Sequence, residues 1–264
     1  MTTDRVSVNR FDALRRERAD VLAACRSFND SEWHAPSAAS GWRVQDVIAH
    51  MGSGFHAMFS ASVLKVLCSN DIERTNDTLV DQRRGRSPEQ TVAEYERWSR
   101  RSIRLAQVIS RTPVAGIPVP LGELGRFKLS TVLTSAMIFD HHTHLRHDIA
   151  PALNMPAPPT DADRMALVIE WMMAVLENQL RAASPPWLDR LLAIELLGIG
   201  GGMWVVKPDG TITSGNHGGI ARVRASALEF PEWATRRAPW RSRDVTIVGD
   251  EEYGIQFLDV LNVV

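Results

Sequence analysis

The sequence predicts an α+β protein: a bundle of four, at most five, helices over residues 1–183, followed by a small α+β domain over 184–264. Three observations lead there. Up to Ala183, apolar residues recur three and four apart in long segments, the spacing of one helix face. After Ser184-Pro185-Pro186 the segments shorten, alternate, and turn on glycine. And 264 residues of 44% apolar composition suit one large or two modest domains with a sizeable core.

The elements follow in order. Residues 9–27 carry Phe11, Leu14, Val21, Leu22 and Cys25 at helical spacing. A loop rich in Ser, Asp, Pro and Gly (28–41) follows, in a stretch that carries Trp33 and Trp42. A second helix is expected over 43–67, with Val44, Val47, Ile48, Met51, Phe55, Met58 and Phe59 as its apolar face. His50 sits among them, and Gly54, one turn on, leaves space beside it. The polar segment 69–87 predicts a long connection, and long connections often serve function. Ser87-Pro88-Glu89-Gln90 is a helix start: a serine cap, proline at the first position, and an acceptor three residues on. The third helix spans 88–111, with Tyr95, Trp98, Ile103, Leu105 and Val108. The Pro/Gly-rich stretch 113–126 is non-helical, a fourth helix covers 127–150, and a Pro-rich linker (151–159) leads to a fifth over 160–182.

In the second part, Leu191 to Leu197 predicts a strand that Gly198–Gly202 breaks. Met203–Lys207 and Thr211–Thr213 flank Pro208-Asp209-Gly210 and predict a hairpin with an Asp-Gly turn. Ile220–Ala225 and Val245–Val248 read as strands, 227–236 as a short helix, and 250–262 as a closing helix. No helix follows the glycine run and no Gly-Lys-Ser/Thr is present, so it reads as a turn rather than a phosphate loop.

A net charge of −1 gives no electrostatic case for a nucleic-acid or membrane partner. Of 30 basic residues only Lys65, Lys128 and Lys207 are lysine, a skew that reads as genomic composition. Two cysteines, Cys25 and Cys68, make no disulfide framework. The N-terminal MTTDRVSVNR has no apolar leader core, and the longest apolar run, Met165 to Leu176, is interrupted by Glu170 and too short to span a bilayer. The expectation is a cytoplasmic monomer or homodimer acting on a small-molecule substrate.

The functional signal is Asp140-His141-His142-Thr143-His144-Leu145-Arg146-His147-Asp148, which holds four of the eight histidines. Residues four apart share a helix face, so Asp140, His144 and Asp148 form a row that runs back to Ala136 and Leu129. Polar groups on a core-facing stripe must be paired or bind something. Asp140 and His144 are therefore candidate metal ligands, with His50 the natural third. Facing helices commonly build such sites, and three ligands leave a position open for chemistry. His141 is the alternative ligand, and Asp148 is a candidate acceptor that orients a ligand imidazole. The competing reading is a hydrogen-bonded, histidine-rich helix end, which the helix dipole favours. Neither a Gly-x-Ser-x-Gly nor a Cys–His nucleophile signature stands out.

Gly41-Trp42-Arg43-Val44-Gln45-Asp46-Val47-Ile48-Ala49-His50 resembles the GW-x-V-x-D-V-x-A-H segment of the DinB-like, mycothiol-dependent maleylpyruvate isomerase family. Asp140 and His144 are similar in type and separation to that family's other two ligands. Arg236–Trp240, Val248–Glu251 and Phe257-Leu258 resemble its small C-terminal domain. The resemblance implies a DinB-like four-helix bundle holding a divalent metal, usually zinc, through His50, Asp140 and His144. It also implies a low-molecular-weight thiol, mycothiol, as cosubstrate. The family has Glu where this chain has Asp140; one methylene less would bring the metal nearer the fourth helix. The implied chemistry is a metal-bound thiolate attacking a small electrophile, in a cis–trans isomerase or a thiol transferase. An arginine would hold carboxylates or the thiol's polar groups, with Arg84 and Arg236 as candidates. A non-catalytic metal-binding or ligand-sensing module and a metal-activated-water hydrolase would use the same ligands.

Overall fold

The computed structural model describes residues 9–215 and 218–263; the first eight residues, part of the segment read above for a leader, lie outside them. The chain divides into two compact units, Met1–Pro159 and Thr160–Val264.

The first unit begins with α1 (Arg10–Ser27), whose cap Asn9 accepts a hydrogen bond from the Asp12 amide. The short α2 (Asp30–His34) starts with an Asn29–Glu32 capping box. Then come α3 (Val44–Ala57), α4 (Ser62–Leu67), α5 (Ile72–Asp81) and α6 (Pro88–Ile109). A short antiparallel pair, β1 (Pro118–Pro120) and β2 (Arg126–Lys128), precedes the fourth long helical stretch. That stretch is composite: α7 (Leu129–Thr131), a π segment (Val132–Ala136), α8 (Met137–Thr143) and a second π segment (His144–Ile149).

Two expectations need correction here. The helix expected over 43–67 stops at Ala57 and resumes at Ser62. Phe59 and Ser60 close three-residue turns onto the His56 and Ala57 carbonyls, and the Ser60 hydroxyl accepts from the Ser62 amide. Serine offers the backbone this alternative to helix continuation. The expected connection 69–87 contains α5, capped by Asp71, which accepts from the Arg74 amide, and anchored by buried Leu79 and Val80. The Ser87–Gln90 capping box of α6 forms as the sequence predicts.

The bundle consists of α1, α3, α6 and the composite helix 129–149. Helix α3 packs on α6, and α1 packs on α6 and α8. Leu14, Val21, Val47, Ile48, Met51, Phe55, Tyr95, Ile103, Ile138 and Leu145 fill its core. At Gly52 an added Cβ would stand 3.4 Å from the Tyr95 backbone, so α3 and α6 approach closely there. Buried Arg146 pairs with fully buried Glu17 across α1 and donates to the Pro158 and Pro159 carbonyls at 3.0 and 3.2 Å. It thereby fastens the Pro-rich linker to the bundle.

The second unit contains α9 (Ala162–Ala183), β3 (Leu192–Leu197), β4 (Gly202–Val206), β5 (Ile212–Ser214), β6 (Ala221–Ser226), α10 (Phe230–Ala234), β7 (Val245–Gly249) and α11 (Glu251–Val260). Its strands form a five-stranded sheet, ordered β5-β4-β3-β6-β7, in which β3 and β6 run parallel and the other neighbours antiparallel. The expected β4–β5 hairpin pairs Trp204 with Ser214 and turns through Gly210 at φ +78°. An added Cβ on Gly210 would lie 2.7 Å from the Arg181 amide, and one on Gly200 would lie 2.4 Å from Met165 Cβ. These glycines seat sheet loops directly on α9, which is why α9 belongs with the sheet. The expected division at 183/184 thus differs from the compact units, which separate at the linker instead.

Candidate metal centre

The site is built on the start of α3. The Arg43 amide donates to Asp46 Oδ2 at 3.0 Å, and the Arg43 guanidinium grips the same carboxylate at 3.1 and 3.0 Å. Arg84 Nη1 adds a fourth donor at 3.1 Å. Burial would raise the Asp46 carboxyl, but the hydrogen bonds and charge of Arg43, with the charge of Arg84, hold it below its ordinary value. A carboxylate in the first helical turn also suits the dipole. One turn beyond Asp46, His50 points toward the composite helix.

His50 Nε2 lies 3.0 Å from Asp140 Oδ1, and His144 Nε2 lies 3.5 Å from the same oxygen. One ligand atom from each of the three residues falls within 4.8 Å of the others. Three donors each about 2.0–2.2 Å from a tetrahedral zinc stand about 3.3–3.6 Å apart, so small side-chain adjustments would bring the set onto one ion. Two imidazoles and a carboxylate are donors that zinc accepts, and the His50 Nδ1 is buried with no hydrogen-bond partner among the described residues. The residues present therefore fit a divalent cation.

Behind His144, its Nδ1 donates to Asp148 Oδ2 at 2.6 Å, and the Asp148 side chain is 1% exposed. The Asp148 carbonyl accepts from the Ala38 amide at 2.9 Å and ties the preceding loop to this helix. The π segment opens at His144, where Ala150 donates to Leu145, five residues back, at 3.1 Å. Such π turns widen a helix locally and are frequent at functional sites.

The electrostatics follow from these contacts. Burial would raise the Asp140 carboxyl, but the charges of His50 and His144 and their hydrogen bonds hold it well below the ordinary carboxylate value. Burial would lower the His144 imidazole, yet hydrogen bonds and charges from Asp140 and Asp148 raise it to about 9. Without a metal, His144 is an imidazolium clamped between two carboxylates. Asp140 remains 25% exposed at its side chain, so the cluster can be reached from solvent.

Trp42 forms one wall. Its ring centroid lies 5.0 Å from that of His50 and 6.1 Å from that of His144, nearly parallel to the latter at 29°. Its indole N–H donates to Asp77 on α5 at 2.8 Å. Trp42 was not singled out from sequence as a site residue, although its place beside Gly41 in the family-like segment was the available signal.

The other expected residues are placed elsewhere. His141 is buried against Phe55 and Tyr95, with ring centroids 4.9 and 5.5 Å away, and its Nδ1 donates to the Met137 carbonyl. Desolvation lowers its imidazole to about 4. It is not among the clustered donor atoms, which are those of His50, Asp140 and His144. Arg84 spends its donors inside the protein, on Asp81, Asp46 and the Gly41 carbonyl. Arg236, at φ +59°, donates to the Leu261 and Asp259 carbonyls at the end of α11. A cation there answers the helix dipole and unpaired carbonyls, and both arginines thus make structural contacts within the protein beside the role expected of them.

Fold and site together define a DinB-like helical bundle with a His–Asp–His cluster, followed by a small α+β unit. Residues 14–134 match the family model described as the mycothiol maleylpyruvate isomerase N-terminal domain. Two solved structures are similar over 90% of this chain and 91% of theirs: a mycothiol-dependent maleylpyruvate isomerase, with a TM-score of 0.57, and a His-to-Ala mutant of such an enzyme, with a TM-score of 0.56. Both are 14% identical to this chain, so they speak for the fold. No curated protein matches the sequence. The likeness to the mycothiol-dependent maleylpyruvate isomerase family is thus carried by the family model, and the likeness of fold by the solved structures. The matched segment contains His50 but ends before Asp140 and His144. Among the described residues no helix is long and apolar enough to cross a membrane.

Proposed function

We propose that this chain is a metal-dependent, mycothiol-type thiol transferase or cis–trans isomerase acting on a small electrophile. The observation that carries the reading is the convergence of His50, Asp140 and His144, with Asp148 fixing the His144 ring from behind. These three side chains would hold a divalent cation, for which we propose zinc. When bound, it would supply the Lewis acidity that keeps a thiol deprotonated near neutral pH. Asp148 holds the proton on Nδ1 of His144, which leaves Nε2 as the ligand atom and fixes the ring orientation. Trp42 shields one side of the cluster from water. Arg84 serves the site indirectly, by fastening the Gly41–Trp42 turn to α5.

Buried Cys25 is unsuited to serve as the nucleophile in place of an external thiol. Burial pushes the Cys25 thiol up to about 12, so it supplies no thiolate at neutral pH. Cys25 and Cys68 are both free, in keeping with the reducing cytoplasm that we propose as its setting.

Elemental analysis of the purified wild type, His50→Ala and His144→Ala tests the site. Metal in the wild type and its loss from both variants is expected; equal content in all three contradicts the assignment. Incubation with mycothiol and a panel of maleyl or halogenated electrophiles, read by mass spectrometry, tests the reaction class. A thiol adduct or an isomerised product is expected. Bound metal with neither product points instead to a ligand-sensing module or a hydrolase.

A further inference from the structure

A second site is built from arginines on the opposite pair of bundle helices. Arg15 and Arg18 of α1 and Arg100 and Arg104 of α6 line an open cleft of about 270 Å³, completed by Ile103 and Gln107. Each helix brings two like charges three or four residues apart, a spacing that destabilises a helix unless something answers it. Few acids do. Asp12 takes Arg15 at 2.6 Å, and Glu96 takes Arg100 at 2.9 Å while standing 3.9 Å from Arg18. Arg104 has no hydrogen bond or ion pair among the described residues. Four guanidinium groups against these two carboxylates leave two positive charges.

The cleft is partly preorganised. Arg18 Nε donates to the buried Ser99 hydroxyl at 2.7 Å, and its Nη2 to the Glu96 carbonyl at 3.3 Å. On the adjoining face of α6, Arg97 and Arg101 lie over the Trp98 ring at 5.4 and 4.9 Å and add to the local positive field. The arginine bias of the chain accounts for residue type, not for the gathering of four at one cleft. None of the lining residues belongs to the His50–Asp140–His144 cluster.

We propose that this cleft binds a compact phosphate-bearing anion of the diphosphate class. Guanidinium forks match phosphate oxygens two at a time, with a geometry that ammonium groups do not offer. The residual charge calls for at least two negative charges, which a monocarboxylate does not carry. The volume lies just below the range of about 300–1,000 Å³ usual for drug-sized ligands and suits a small anion.

The test is isothermal titration of the metal-free, full-length chain with inorganic diphosphate at low salt. One saturable site is expected, at least tenfold weaker in the Arg100→Gln/Arg104→Gln double variant. It should weaken again as salt rises from about 50 to about 500 mM, because exposed charges are screened. Both positions are exposed, so the variant keeps its fold, and thermal melting checks this. Binding should persist in His50→Ala, which separates the cleft from the metal centre, and in Arg74→Gln, a control on α5. Inorganic sulfate at equal ionic strength should bind at least tenfold more weakly. Absence of saturable binding, unchanged binding by the double variant, an equal loss in Arg74→Gln, or equal binding of sulfate would overturn the proposal.

Discussion

Asp148→Asn isolates the support behind the proposed metal ligand. Asparagine keeps the shape and one acceptor oxygen, so the 2.6 Å contact to His144 Nδ1 can persist while its charge is removed. Loss of such a partner typically weakens metal binding 10–100-fold, or about 1.4–2.8 kcal/mol. The pH of the measurement decides whether that is seen. His144 is raised from 6.5 to about 9 by Asp140 and Asp148, so in the metal-free protein it carries a proton that the metal must displace. Wild-type affinity should therefore rise about tenfold per pH unit between roughly 7 and 9, and level off above, as one proton is released per metal bound. The variant removes one of the two carboxylates that raise His144, so its proton competition ends at lower pH. At pH 7 that gain partly hides the loss of orientation, whereas near pH 9.5 His144 is mostly neutral in both proteins. Competition against a zinc chelator across this range is the assay. At pH 9.5 the variant should bind 10–100-fold more weakly, with its plateau beginning at lower pH than in the wild type. Equal affinity at pH 9.5, or a wild-type affinity flat between pH 7 and 9, would refute the reasoning.

Three further outcomes are expected. Cobalt titration should quench tryptophan fluorescence, and Trp42→Phe should remove most of that quenching, because its ring lies 5.0 Å from His50; equal quenching in the variant would place the ion elsewhere. Arg146→Ala removes the guanidinium that pairs with the fully buried Glu17 and should cost about 3–5 kcal/mol in urea unfolding, and a loss below about 1 kcal/mol would contradict the buried pairing. Gly210→Ala forces a side chain into φ +78° and against the Arg181 amide, and should lower stability by at least about 1–3 kcal/mol by thermal unfolding.

What the sequence made legible was what rests on local periodicity. The apolar stripes of α1, α3 and α6, the Ser87 cap and the Asp209-Gly210 hairpin are near-neighbour patterns, and each appears where the residues predict it, α3 as far as Ala57. The row of Asp140, His144 and Asp148 was legible for the same reason, as was the suitability of His50 on a second apolar helix. Helix α5 was hidden because seven of its ten residues are polar and only Leu79 and Val80 are buried. The partners of Arg84 and Arg236 were illegible because a long charged side chain finds acceptors distant in sequence, here Gly41 and Asp46 in one case and Asp259 and Leu261 in the other. Histidine density misled for His141: one residue along a helix from Asp140 is about 100° around it, which turns the ring to Phe55 and Tyr95 instead of the cluster.

The most direct measurement is the absorption spectrum of the cobalt-substituted protein as mycothiol is added. If His50, Asp140 and His144 hold one ion with an open position, a thiolate-to-cobalt charge-transfer band should grow to saturation at one thiol per metal, and His50→Ala should show neither bound cobalt nor the band. Stoichiometric cobalt with no such band would contradict the thiol chemistry, and cobalt retained by His50→Ala would contradict the site itself.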